Sequence, residues 1–192
     1  METRILSLQE REAFYHNYLL KEFHKSEMKP LSLLESLIEQ GNYLCIGFFE
    51  AEQPLGYAYL GRSNDGRSLI LDYFAVVKEY RSKGWGGRFL EELKSYLGDR
   101  YDILFAEVEN PDFASDEADR SKRIRRIHFY HQNGFHTSPI LASIFGNEYQ
   151  ILLLPLAAKL HGEQLQAQLQ QVYKTLSGER FFEQYIHLRK VE

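Results

Sequence analysis

The chain has 192 residues, 44% of them hydrophobic and 26% charged, which suits one domain whose core needs no metal or disulfide. A formal net charge of -4 argues against a general nucleic-acid or anionic-membrane binder, and Cys45, the only cysteine, is expected as a buried inert thiol in a reducing compartment. No signal-peptide pattern opens the sequence, and the apolar run at 151–158 is too short to span a bilayer and is interrupted by Pro155, so a cytoplasmic protein is expected.

In chain order, residues 3–8 predict a strand, followed by a helix with Phe14, Tyr18, Leu19 and Phe23 on one face, closed off by Pro30. Residues 31–39 predict a second helix, with Leu33, Leu34, Leu37 and Ile38 on its apolar side and Gly41 as its stop. Strands at 43–49 and 55–60 are joined by a Glu-Gln-Pro turn, and Asn64-Asp65-Gly66 turns the chain into an apolar strand at 69–77. Phe89, Leu90 and Leu93 then recur at helical spacing.

Further on, residues 103–108 predict a strand broken by Asn110-Pro111, and Asp112, Asp116, Glu117 and Asp119 suggest an acidic surface loop. A helix is expected from Ser121 to about Gln132, stopped by Asn133-Gly134, and then a hairpin of 140–144 and 148–154 around Gly146-Asn147. Residues 159–176 predict a glutamine-rich helix whose stripe of Leu160, Leu165, Leu169, Val172 and Leu176 suits docking on the sheet or on a second subunit. Residues 181–188 are strongly apolar and suit a strand or a helix.

The chemistry concentrates between the strand at 69–77 and the helix after it, in Arg81-Ser82-Lys83-Gly84-Trp85-Gly86-Gly87. Glycines here let backbone approach a ligand closely, and the helix start offers free N–H groups and a dipole that favour an anion such as a diphosphate. The segment has neither the Gly-Lys-Ser/Thr of a Walker loop nor the spacing of G-x-G-x-x-G. It does match R-x-x-G-x-G as Arg81, Gly84 and Gly86. With the later stretches Leu104-Phe-Ala-Glu-Val-Glu-Asn-Pro111 and Phe129-Tyr-His-Gln-Asn-Gly-Phe135, in this order, it resembles the acyl-CoA loop, later strand and F-Y-x-x-x-G-F helix end of the GNAT superfamily of N-acyltransferases.

The resemblance covers roughly the first 155 residues. It implies an α/β fold: a single GNAT-like domain at 1–155 with a mixed, mostly antiparallel central sheet flanked by helices, and a C-terminal helical extension at 156–192 packed on it. It implies acetyl-CoA as co-substrate. Backbone N–H groups of Lys83, Gly84, Trp85, Gly86, Gly87 and Arg88 would hold the pyrophosphate, with Ser82 in the same cofactor-binding loop and Arg81 and Arg88 adding charge, and the backbone of Phe74, Ala75 and Val76 would pair with the pantetheine arm. The same three residues also suit a plain core strand.

Glu107 is the candidate base, because a lone carboxylate on an otherwise apolar strand is costly unless it is solvated or used. A glutamate at this place draws the amine proton through water in some GNAT enzymes. An ion pair between Glu107 and the next helix is the structural alternative, Glu109 shares its face by alternation, and Asp72 is another carboxylate. Tyr130 matches the tyrosine that hydrogen-bonds the departing sulfur in many relatives, so it is the candidate acid; a core tyrosine is the plainer reading. Where many relatives have Asn and Ala before that tyrosine, this chain has Arg123 and Arg126 within a basic run at 120–126, which suits a solvated face or a clamp on the CoA 3′-phosphate. His128, His131 and His136 complete no ligand spacing, so no metal is expected.

These features point to an N-acetyltransferase acting on a small-molecule amine, a monomer or homodimer with no nucleic-acid or membrane partner. The competing readings are a protein or peptide acetyltransferase and a CoA-binding module without catalysis, which would need neither Glu107 nor Tyr130. Glu107, Glu109 and the acidic loop predict a negative acceptor mouth, hence a cationic amine.

Overall fold

A computed structural model of the chain describes residues 1–24, 28–157 and 162–191. The domain is α/β, with eight strands among the described residues in the order β1-β2-β3-β4-β5-β7-β6-β8 and helices flanking the mixed sheet. Within it the chain forms two compact units, residues 1–61 with 72–96 and residues 62–71 with 97–192.

In the first unit, β1 (Glu2–Ile5) pairs antiparallel with β2 (Tyr43–Glu50), and β2 with β3 (Gln53–Arg62). The opening strand is shorter than expected because Ser7 caps a helix: Glu10 donates its amide to the Ser7 hydroxyl (3.4 Å) and its carboxylate accepts the Ser7 amide (2.7 Å). That helix is not uniform. It runs as α1 (Leu8–Phe14), passes through a π-helical turn at Tyr15–Leu19, and ends in α2 (Leu20–Glu22). The wider turn shifts the phase, so Tyr15 joins Phe14 and Leu19 in the core while Tyr18 stays half-buried.

The second helix, α3 (Leu31–Glu39), lies where expected and ends on Gly41 at φ 73°, whose amide reaches the Ile38 carbonyl while that of Asn42 reaches Leu37. Leu34 and Leu37 are its buried residues; Leu33 faces outward. The β2–β3 turn is not Glu-Gln-Pro. Glu50 pairs with Gln53, which leaves Ala51 and Glu52 as a two-residue loop, both at positive φ.

A long strand, β4 (Ser68–Val76), leads to α4 (Trp85–Leu97). Phe89 of α4 stacks on Phe48 with ring centroids 4.5 Å apart, and a Cβ on Gly56 of β3 would come within 2.4 Å of the Phe89 ring, so only glycine lets this helix settle there.

In the second unit, the first residues of β4 pair in parallel with β5 (Ile103–Glu109), from Ser68 opposite Ile103 to Leu71 opposite Ala106. β7 (Asn147–Pro155) lies antiparallel to β5 and to β6 (His136–Ile144). The β6–β7 loop is Phe145-Gly146, both at positive φ, one residue earlier than expected, because Ile144 pairs with Asn147. Between β5 and β6 runs α5 (Glu117–Gln132), which begins at Asp116 rather than Ser121: the Asp116 carboxylate caps it by accepting the Asp119 amide at 2.8 Å. Part of the expected acidic loop is thus a helix start, where carboxylates suit the dipole.

The C-terminal helix α6 (Gly162–Ser177) buries Leu165, Leu169, Val172, Tyr173 and Leu176 within its own unit; Leu160 lies outside the described residues. The apolar run after it divides into α7 (Glu179–Tyr185) and β8 (Ile186–Lys190), which pairs antiparallel with β6. Among the described residues no helix is long and apolar enough to cross a membrane.

Candidate active site

The loop between β4 and α4 is exposed and shaped by its backbone. Ser82 and Gly84 both take positive φ, 61° and 79°, and Trp85 starts the helix, so the first amides of α4, those of Trp85, Gly86 and Gly87, have no partner within the helix. The Arg88 amide closes the first turn on the Gly84 carbonyl at 3.4 Å. A Cβ built on Gly84 would meet nothing within 4 Å, so the space beside it is open and what glycine supplies is conformation. Such a row of amides fits a diphosphate.

Side chains of the loop behave differently from the sequence expectation. Arg81 donates through Nε to the Val76 carbonyl (2.9 Å) and pairs with Glu22 of α2. Its charge therefore ties the loop to the N-terminal helix. Lys83 donates to the Glu79 carbonyl (3.2 Å), and the Arg88 guanidinium lies 4.4 Å from the centre of the Trp85 ring. On β4, Phe74, Ala75 and Val76 are half-buried, unlike the buried Leu69, Ile70 and Leu71 earlier in the strand.

Asp72, the alternative carboxylate, is held by Lys29, whose ammonium lies 2.9 and 2.7 Å from its two oxygens, and by the Tyr43 hydroxyl. Burial, with Asp72 adding to it, pushes the Tyr43 phenol well up, so it stays a donor. Asp72 thus has a structural partner on each side. Cys45 is buried, and burial drives its thiol far above the ordinary range, which makes it inert at neutral pH.

In the second unit, Glu107 is the half-buried residue between Ala106 and Val108, which are 1% and 0% exposed, and opposite Ile151. Its Oε1 accepts a hydrogen bond from Tyr173 of α6 at 2.5 Å. The carboxylate paired with the next helix is Glu109, which lies 3.7 Å from Arg123 and 3.6 Å from Arg126. Arg123 also pairs with Asp119 at 2.8 Å and donates to the Asn110 carbonyl at 2.9 Å, so its guanidinium braces the β5–α5 connection.

Tyr130 sits near the end of α5 with its ring packed edge-on to Phe129 and Phe135, centroids 5.3 and 5.0 Å away. Burial pushes its phenol up to about 12, against a smaller opposing pull from Arg126. At neutral pH it carries its proton. Among the described residues no group of three or more His, Cys, Asp or Glu is arranged to hold a metal ion.

An amide-lined helix start behind an R-x-x-G-x-G loop is followed along the chain by a glutamate strand and a tyrosine helix. Residues 41–137 match the family model described as the acetyltransferase (GNAT) domain. The chain belongs to the GNAT acetyltransferase family. No curated protein matches it in sequence. Among solved structures it is similar to a protein assigned to the GNAT family of acetyltransferases from Bacteroides thetaiotaomicron, at TM-score 0.72 and 18% identity over 93% of this chain and 99% of that one. It is also similar to spermidine N-acetyltransferase from Vibrio cholerae, solved with CoA and spermine (TM-score 0.61, 14% identity, 81% of this chain and 95% of that one). A third is the ribosomal-protein-S18-alanine N-acetyltransferase of Escherichia coli (TM-score 0.56, 23% identity, 84% and 96%).

Seen against the GNAT family model, the loop, Asp72, Glu107, Arg123 and Tyr130 all lie inside the matched residues. Three of their partners, Glu22, Lys29 and Tyr173, lie outside. Tyr173 was within reach of sequence reasoning, since it falls in the stripe of Leu165, Leu169, Val172 and Leu176 and carries a hydroxyl there; nothing local names Glu107 as its acceptor.

Proposed function

We propose that the protein transfers an acetyl group from acetyl-CoA to a primary amine, a small cationic molecule, by direct attack with Glu107 as base and Tyr130 as acid. The observation that carries this reading is Tyr130: a buried phenol, raised to about 12 and so protonated at neutral pH, at the F-Y-x-x-x-G-F end of a GNAT helix. Simple CoA binding has no use for such a donor.

Acetyl-CoA, when bound, supplies an activated acetyl thioester. The amides of residues 83–87 bind the pyrophosphate, and the backbone of Phe74, Ala75 and Val76 orients the pantetheine arm. Glu107 takes the proton the amine sheds as its nitrogen bonds to the carbonyl carbon. Tyr130 passes its proton to the sulfur as the C–S bond breaks and that bond's electron pair leaves with the sulfur, and the phenol is reprotonated from solvent.

A cationic acceptor is supported by Glu107 and by the acidic residues beyond it, although Glu109 and Asp119 are met by Arg123 and so add less than the sequence suggests. The test is thiol release with spermidine, an aminoglycoside, an anionic amine and a basic peptide, at low and high salt. We expect the small cations to lead in kcat/KM and to lose rate as salt screens the field beyond about 8 to 10 Å. A lead for the anionic amine, or no salt dependence, would sink the cationic assignment, and a lead for the peptide would move the acceptor to the protein class.

A further inference from the structure

We propose that Tyr173, on the C-terminal helix, is a positioning residue for Glu107, so that the carboxylate read above as the base is set by a side chain outside the residues that match the GNAT model. The inference rests on that reading. It is carried by one contact and by how rigidly that contact is delivered. The Tyr173 hydroxyl donates to Oε1 of Glu107 at 2.5 Å across 66 positions of sequence.

Three features hold the donor still. Leu165, Leu169 and Val172 of α6 are 2%, 0% and 0% exposed, which fixes the helix on its unit. Gln168, five residues earlier, accepts from the Ser68 hydroxyl at 2.7 Å and donates to Asp65 at 3.0 Å, pinning α6 to the start of β4 and the turn before it. The Tyr173 ring stacks on Phe182 of α7, with centroids 6.4 Å apart and planes at 27°. A phenol with two rotatable bonds, stacked on Phe182 and carried by a buried helix face, loses little freedom when it makes this hydrogen bond.

Described charged groups on the neighbouring elements make contacts of their own. Glu109, on the same face of β5, is paired with Arg123 and Arg126 of α5, and Tyr149 of β7 stands opposite Glu109 rather than Glu107. On the C-terminal side, Lys174 is bound to Glu179 at 2.8 Å and lies 5.6 Å from the centre of the Phe182 ring. A neutral donor at Oε1 hydrogen-bonds the ionised carboxylate and fixes its plane without adding a positive charge beside the group that must take a proton.

A merely structural hydroxyl would leave the pH profile alone, which makes that profile the test. Tyr173→Phe keeps the ring and its stack but removes the donor. We expect the acidic limb of kcat/KM to move up by about one pH unit, the size of one hydrogen bond to a charged group on the pH axis. Activity on the limb then falls about tenfold, the plateau and the KM for acetyl-CoA stay put, and thermal unfolding shows the fold intact. Glu107→Gln, measured alongside, should remove the limb. If Glu107→Gln removes the limb and Tyr173→Phe leaves it unmoved, the positioning role is overturned while the base stands. If the limb survives Glu107→Gln, the base assignment itself fails and the role of Tyr173 goes with it.

Discussion

At residues 81–84 the chain works with backbone: Ser82 and Gly84 turn through positive φ, the loop is exposed, and the useful groups are amides at the start of α4. On β5 and along α5 and α6 it works with side chains, a strand carboxylate held by a phenol from a helix and a second phenol kept protonated by burial. A site built of amides tolerates changes of side chain and breaks when conformation changes. A site built of side chains keeps its shape under mutation and breaks when a single oxygen is removed. The two regions should therefore fail in different ways.

The largest effect is expected at the second region. Tyr130→Phe preserves the edge-on packing against Phe129 and Phe135 and deletes only the hydroxyl, so kcat should fall by about 10² to 10⁴ with unchanged acetyl-CoA affinity and an intact melting curve. An unchanged kcat in a folded variant would return Tyr130 to the core. The loop should fail by losing its ligand instead. In the native protein CoA at a hundredfold excess over its dissociation constant should add about 2.7 kcal/mol of stability. Gly84→Val, which has space for the side chain but not for φ 79°, should erase that gain. Gly98→Val is the control, since Gly98 also has positive φ (54°) and nothing within 4 Å of a Cβ; it should cost similar intrinsic stability and keep the CoA shift. Equal CoA shifts in both variants would take the loop out of cofactor binding.

The same contrast decides what could be read from sequence. R-x-x-G-x-G and F-Y-x-x-x-G-F are contiguous, and the conformations they need leave glycines in the chain, so both were legible. Turns were less so: Ala51, Glu52 and Phe145 adopt positive φ without being glycine, because the pairing of Glu50 with Gln53 and of Ile144 with Asn147 imposes the loop. The start of α5 was hidden by its own charge, since Asp116, Glu117 and Asp119 read as a solvated loop until the cap is seen. One apolar run could not announce a boundary inside itself between α7 and β8, where Phe182 and Ile186 are both buried. Least legible were partners remote in sequence, such as Glu22 for Arg81 and Tyr173 for Glu107, which only the fold brings together.

The smallest effect should separate the two regions at Arg123. Sequence allows this arginine to clamp the 3′-phosphate of CoA, whereas its side chain is 14% exposed and its guanidinium is divided between the Asn110 carbonyl, Asp119 and Glu109. A planar fork serving that many acceptors cannot be replaced by a single ammonium. Arg123→Lys should therefore lower stability by about 1 to 2 kcal/mol, roughly 2 to 8 °C in Tm for a chain of this size. The ratio of affinities for CoA and dephospho-CoA should stay within about twofold of the native value, because a contact that stabilises the β5–α5 connection is indifferent to a phosphate elsewhere. A charge-assisted hydrogen bond to that phosphate would instead be worth roughly 1.5 to 3 kcal/mol, at least a tenfold change in the ratio. Titration calorimetry with the two ligands distinguishes these outcomes: a tenfold loss of preference for CoA at an unchanged Tm would move Arg123 from the frame of the domain to its cofactor.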